Sequence, residues 1–237
     1  MHRQRSKGFV LVTSLIFLIV LSVLGVMAMR GSLFEERMAA NDRDMATARE
    51  FAEMALRDAE RDILGLSFDG TTYCRAPDGS TACTTVRPLG TRPTSDADSG
   101  NFWVAANPIV DDIGLDNGGI GSAPEQQGVF NARSATACGM PVWGGANWGD
   151  GAVPPRSCAG VIGAAVPTIA YGTFTDAPLP AGVTAPRYII ELFKADDLGI
   201  TPPSNKLFFR ITAVGFGRTQ GVAGRTSVTL QSVFSPL

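Results

Sequence analysis

Four cysteines, one histidine and a few acidic clusters are the residues of this 237-residue chain with the most chemistry to offer. The cysteines are Cys74, Cys83, Cys138 and Cys158. An even count with no C-x-x-C pair suggests two disulfides made in an oxidising compartment. Four cysteines allow three connectivities. Short polar loops favour Cys74–Cys83 and Cys138–Cys158 without deciding among the three. Zinc is the competing use of such thiols, but the spacings do not match and no histidine lies near them. The single histidine is His2. Without another, the chain has no Ser-His-Asp or Cys-His nucleophile pair and no His-based metal site. Asp96, Asp98 and Gly100 are spaced like the opening of a calcium loop, and Asp111, Asp112 and Asp116 form a second acidic cluster. Neither completes the twelve-residue pattern with its terminal Glu, so both read as solvated loops. Gly118-Gly119-Ile120-Gly121 lacks the strand–turn–helix setting of a phosphate loop. Trp103, Trp143 and Trp148 read better as cover over a small core than as a binding surface. The chain is expected to be non-enzymatic, with no metal and no cofactor.

The element that positions everything else is the stretch Phe9–Met29, 21 residues without a charge. At about 1.5 Å per residue it makes roughly 31 Å of helix, enough for a bilayer core of about 30 Å. Arg3, Arg5 and Lys7 precede it, which by the positive-inside rule keeps this end in the cytoplasm and exports the rest. A signal peptide cut after Ala28 is the alternative. The apolar run is longer than a normal signal core, and such a cut would sever a continuing helical pattern. Phe34, Met38, Met45, Ala48, Ala52, Ala55 or Leu56, Ala59 and Ile63 recur at three- and four-residue steps, an apolar helix face. Glu36, Arg43, Glu50, Glu53, Arg57 and Arg61 lie on the other side. Gly25 and Gly31 are weak points, and Gly65 is a C-cap. Residues 9–64 therefore read as one helix on the order of 84 Å long. A membrane helix followed by a separate surface helix fits the same pattern.

Beyond the helix, residues 66–185 are rich in Gly, Pro, Ser, Thr, Asp and Asn, with short periodic runs only at Asn101–Ala105 and Val161–Tyr171. Three β-rich runs close the chain: Arg187–Lys194, Lys206–Gly215 and Thr226–Phe234. Asp196–Asn205 and Gly217–Arg225 separate them as turns. This predicts an antiparallel meander whose apolar face packs on the amphipathic half of the helix. The fold class is α+β. Formal net charge is −2; without residues 1–8, 17 basic side chains face 22 acidic ones, leaving −5 and a mildly acidic exterior. No basic tract follows the leader, so nucleic acid is not an expected partner.

Lys7-Gly8, then Phe9, then an uncharged helix turning amphipathic, then a cysteine-bearing antiparallel sheet resembles a type IV pilin. Within that superfamily the chain is similar to the PilX-type minor pilins. The match is carried by Gly8-Phe9, the run Val10–Met29, Leu33-Phe34-Glu35-Glu36-Arg37-Met38-Ala39 and Ala52-Glu53-Met54-Ala55-Leu56-Arg57-Asp58-Ala59-Glu60. The closing runs Phe209-Arg210-Ile211-Thr212-Ala213 and Val228-Thr229-Leu230-Gln231-Ser232 resemble the end of the same family. The resemblance implies cleavage by prepilin peptidase between Gly8 and Phe9 and N-methylation of Phe9. It divides the chain into a leader (1–8), a transmembrane and filament-core half of the helix (9–29), an amphipathic half (30–65) and an exported disulfide-bearing domain (66–237).

One position departs from the pattern. Major pilins carry Glu at the fifth mature residue, which here is Thr13. A carboxylate in lipid is costly unless paired, whereas a threonine hydroxyl is satisfied by a carbonyl one turn back. The expected function is a minor pilin that helps initiate type IV pilus assembly in a priming or tip complex, supporting adhesion and twitching motility. Expected partners are other minor pilins, the major pilin, prepilin peptidase, the inner-membrane assembly machinery and a tip adhesin. The expected location is the inner membrane, with the C-terminal domain periplasmic, and then the pilus tip at the cell surface. Two alternatives stand beside it: a tip pseudopilin of a type II secretion system, and a membrane-anchored exported binding domain unrelated to filaments.

Overall fold

The computed structural model describes residues 7–75, 128–131, 141–149, 166–201, 207–221 and 224–235. Its first element is a single helix, α1, Lys7–Ile63. No proline interrupts it, and its end is set where the sequence places it. Gly65 takes a left-handed φ of 72° and its N–H donates to Asp62 O at 3.0 Å, closing the last turn. The chain divides into two compact units, Met1–Arg43 and Asp44–Leu237. In the first, α1 is long and apolar enough to cross a membrane, which fits membrane anchoring.

The second unit is the α+β body. A hairpin follows the helix, β1 (Leu66–Phe68) with β2 (Tyr73–Arg75). Its turn is held by Asp69, whose Oδ1 accepts from the N–H groups of Thr71 and Thr72, both at 2.8 Å. A five-stranded sheet carries the order β3-β5-β6-β7, with β4 also pairing β5. Its strands are β3 (Val129–Asn131), β4 (Ile169–Ala170), β5 (Arg187–Lys194), β6 (Leu207–Gly221) and β7 (Gly224–Phe234).

The meander β5-β6-β7 is antiparallel as expected, with Ile190 opposite Ile211 and Ala213 opposite Leu230. The sheet as a whole is mixed, because β3 runs parallel to β5, Val129 opposite Ile190. A three-residue strand carries no readable period, and a parallel partner must arrive by a long connection, so local sequence gives it no signal. The glycine-rich stretch expected as a turn after Gly215 is mostly strand. β6 continues to Gly221 past a register shift between Phe216 and Gln220, and β7 begins at Gly224. The stretch after β5 opens with a 3-10 turn, Ala195–Leu198.

The main core lies between α1 and one face of the sheet: Ala55, Ala59 and Ile63 pack with Tyr188, Ile190, Leu192, Phe209, Ile211 and Ala213. A smaller cluster joins Phe130, Val142, Ala146, Val166 and Ile189, with Trp148 against it. Trp148 is thus core cover, as expected, whereas Trp143 is 38% exposed and Trp103 lies outside the described residues. The periodic run Asn101–Ala105, expected as a strand, both acidic clusters and Gly118–Gly121 also lie outside them.

Candidate assembly interface

Every large apolar side chain from Phe9 to Met29 is 48–74% exposed. Valine, leucine, isoleucine and phenylalanine face outward around the whole circumference, and such a surface is stable only in lipid or against other apolar helices. Its few polar side chains are turned inward on the backbone. Thr13 Oγ1 donates to Phe9 O and lies within 3.0 Å of Val10 O as well, the internal satisfaction expected of it. Ser14 bonds Leu11 O at 2.9 Å and Ser22 bonds Leu18 O at 2.8 Å. No hydroxyl of the three requires a partner from outside. Gly25 and Gly31 have nothing within 4 Å of where a Cβ would stand. The apolar stripe read from the sequence stays open at Phe34 (67% exposed), Met38 (66%) and Met45 (50%).

From Ala48 onward the same stripe is covered, and its small residues are the reason. Ala48, Ala52, Ala55 and Ala59 are fully buried and Ile63 nearly so. A Cβ on Gly215 would run into Ala48 O and Ala52 N, with Phe51 C at 2.8 Å. Strand β6 therefore lies directly on the helix backbone, an approach that only glycine opposite alanine permits. One turn earlier, Asp44 Oδ1 accepts from the N–H of Arg218 at 2.7 Å and fills the space beside Gly217.

Two carboxylates missed in the sequence sit inside this junction. Asp58 and Asp62 are 0% exposed. At helical spacing both fall among Ala55, Ala59 and Ile63, the signal that would have found them. Asp58 Oδ2 accepts from Gly172 N–H at 2.8 Å, and Oδ1 accepts from the Thr175 hydroxyl. Asp62 Oδ2 accepts from Tyr188 OH at 3.1 Å. Burial pushes the Asp58 carboxyl up to about 6, against the pull of its Thr175 and Gly172 hydrogen bonds, with Asp62 adding to the rise and Arg61 opposing it. Arg61 itself turns to Tyr73, bonding the phenol at 2.8 Å with its guanidinium 3.9 Å over the ring. Tyr171, nearby, is raised to about 12, chiefly by burial. On the outer face of the sheet, buried Glu191 holds Arg210 through two hydrogen bonds of 2.6 and 2.8 Å. That pair keeps the Arg210 guanidinium charged.

The sequence-expected site residues are distributed accordingly. Phe9 and Thr13 share one turn of α1. Cys74 lies in β2 and is disulfide-bonded; Cys83, Cys138 and Cys158, its partner among them, lie outside the described residues. Among the described residues no group of His, Cys, Asp or Glu is arranged to hold a metal.

Two family models match the chain. PilX N-terminal covers residues 7–57, and Type IV pilus assembly protein PilX C-term covers residues 72–236. No curated protein matches, and no solved structure does.

Proposed function

The chain belongs to the PilX family of type IV pilus assembly proteins, and we propose that it is a minor pilin acting at the start of pilus assembly, in a priming or tip complex. Interaction with other pilus assembly components follows from the family; the particular set proposed is the other minor pilins, the major pilin and a tip adhesin. In this reading prepilin peptidase cuts between Gly8 and Phe9 and Phe9 is N-methylated. The helix is held in the inner membrane with its N-terminus cytoplasmic and the α+β body periplasmic until the subunit leaves at a filament end. The protein acts by packing rather than by catalysis, and its loss impairs adhesion and twitching.

The observation that carries the reading is Thr13. An apolar helix exposed on all sides supports entry into a bundle of like helices. At the fifth position from Phe9, where a carboxylate would draw in a neighbour's amine, it offers a hydroxyl already bonded to Phe9 O. The subunit enters lipid and bundle alike without a charge to neutralise, and gives up the attraction that would repeat it along a shaft.

Deletion with counting tests this. Removing the gene strongly reduces surface pili, and purified wild-type pili hold far less of this protein than of the major pilin. Thr13→Glu raises its share in sheared pili, or lowers its membrane level where no amine is in reach. Normal piliation in the deletion strain, or abundant wild-type subunit along the shaft, would overturn the proposal.

A further inference from the structure

The most unusual chemistry outside the apolar helix is the carboxyl of Asp58, buried on α1 and bonded to a turn more than a hundred residues away. Residues 171–175 form that turn. It is tied on three sides. Phe68 N–H donates to Thr175 O at 2.6 Å, Tyr171 N–H donates to Pro186 O at 2.9 Å, and Asp58 takes both Gly172 N–H and the Thr175 hydroxyl. Its own backbone leaves no slack: Gly172 sits at φ 78°, with a Cβ there only 2.5 Å from Ala177 O, and Asp176 at φ 54°. Phe174 and Thr175 are buried, Phe174 in the main core. The turn is thus the seam between helix, hairpin and sheet, and Asp58 is its fastening on the helix.

We propose that Asp58 is a proton-controlled latch, holding the 171–175 turn to α1 more tightly when the carboxyl is neutral than when it is ionised. The partner set permits both forms. Thr175 is a hydroxyl, so it donates to a carboxylate and accepts from an acid, while the other oxygen keeps Gly172 N–H in either case. The setting favours the neutral form. Complete burial is the main cause, opposed by the Thr175 and Gly172 hydrogen bonds; on its own helix Asp58 also faces the like charge of Asp62 and the cation of Arg61, which acts weakest and is engaged with Tyr73. From the turn it faces Tyr171, whose phenol is held neutral by a value raised to about 12, and beyond Asp62 stands Tyr188 of β5, which donates to Asp62. The carboxyl's removal from water, at 0% exposure, gives the direction, and a folded value of about 6 against an ordinary 3.8 agrees with it. The latch contributes its full stability below the ordinary value and loses it as pH rises through about 6.

Hydrogen exchange on the full-length chain in detergent micelles reads the latch directly. With intrinsic rates corrected, amides of residues 171–177 should open roughly tenfold more often at about pH 7.5 than at about pH 5. Asp58→Asn should flatten that dependence, while Asp62→Asn should leave it in place. Thr175→Val keeps the charge and removes a bond that favours it, so its transition should move to higher pH. Should Asp58→Asn fail to fold, the wild-type profile and the direction of the Thr175→Val shift still decide. Equal opening at both pH values in the wild type would overturn the proposal. So would an unchanged slope in Asp58→Asn, a slope lost in Asp62→Asn, or a Thr175→Val transition shifted downward.

Discussion

Gly215→Ala puts one methyl group where β6 lies on α1, and the outcome follows from what surrounds it. The new Cβ would overlap Ala48 O and Ala52 N and stand 2.8 Å from Phe51 C. All three are backbone atoms of a helix already fixed by its own hydrogen bonds, so no side chain can rotate away. Ordinary contact therefore requires helix and strand to separate by about 1 Å, and a gap of that size forfeits a quarter to a half of each dispersion contact it opens. The stripe Ala48, Ala52, Ala55, Ala59 and Ile63 would lift together, since it faces the same strands. Overpacking of this kind costs about 1–3 kcal/mol, and a site walled by backbone belongs at the upper end. For a unit the size of Asp44–Leu237, about 3 kcal/mol lowers Tm by roughly 6–12 °C. Thermal unfolding of the full chain in detergent, followed by near-UV circular dichroism, measures it. Gly31→Ala is the matched control: nothing lies within 4 Å of its Cβ, so the body's Tm should stay put while helix propensity improves by about 1 kcal/mol. A Gly215→Ala protein melting within about 2 °C of wild type would refute the close approach of strand and helix.

Gly8→Val should leave an uncut precursor in the membrane, and mass spectrometry of the wild type should find methylated Phe9 at the N-terminus; a mature start at Met29 would restore the signal-peptide alternative. Non-reducing peptide mapping should recover Cys74 with Cys83 and Cys138 with Cys158, and Cys74→Ser should destabilise the domain by about 2–5 kcal/mol and lower its steady-state level. Recovery of Cys74 with Cys138 or Cys158 would overturn the proposed pairing.

What was legible in the sequence is what repeats locally. The 3.6-residue recurrence of apolar side chains gave the helix, and Gly65 gave its end. The alternating runs gave three antiparallel strands and the face that meets the helix. Thr13 was legible because its acceptor, Phe9 O, is one turn away. What was not legible depends on partners far along the chain. Asp58 went unassigned: its helical spacing puts it among Ala55, Ala59 and Ile63, but nothing near it in the chain announces Gly172 and Thr175. β3 pairs over three residues and has no period to show. Gly217, Gly221 and Gly224 read as a turn because glycine usually breaks strands, yet the first two lie in β6 and the third opens β7, and Gly217 makes room for Asp44.

The alanine stripe and the buried carboxylates act on one joint in opposite ways. Ala48, Ala52, Ala55 and Ala59 remove bulk so that backbone meets backbone, which maximises close contact but bonds to nothing in particular. Alanine against glycine slides easily, because one methyl resembles the next along the helix. Asp44 on Arg218 N–H, Asp58 on Gly172 and Thr175, and Asp62 on Tyr188 are each a contact that fits in one register only. Shifting the helix by a turn would leave carboxylates buried without donors, a penalty of several kcal/mol each. The exposed half of the helix has no such acids: from Phe9 to Met29 it offers only apolar side chains and hydroxyls bonded to their own backbone. One end of α1 is therefore built to be fixed in register against its own sheet, and the other to accept whatever apolar neighbour surrounds it.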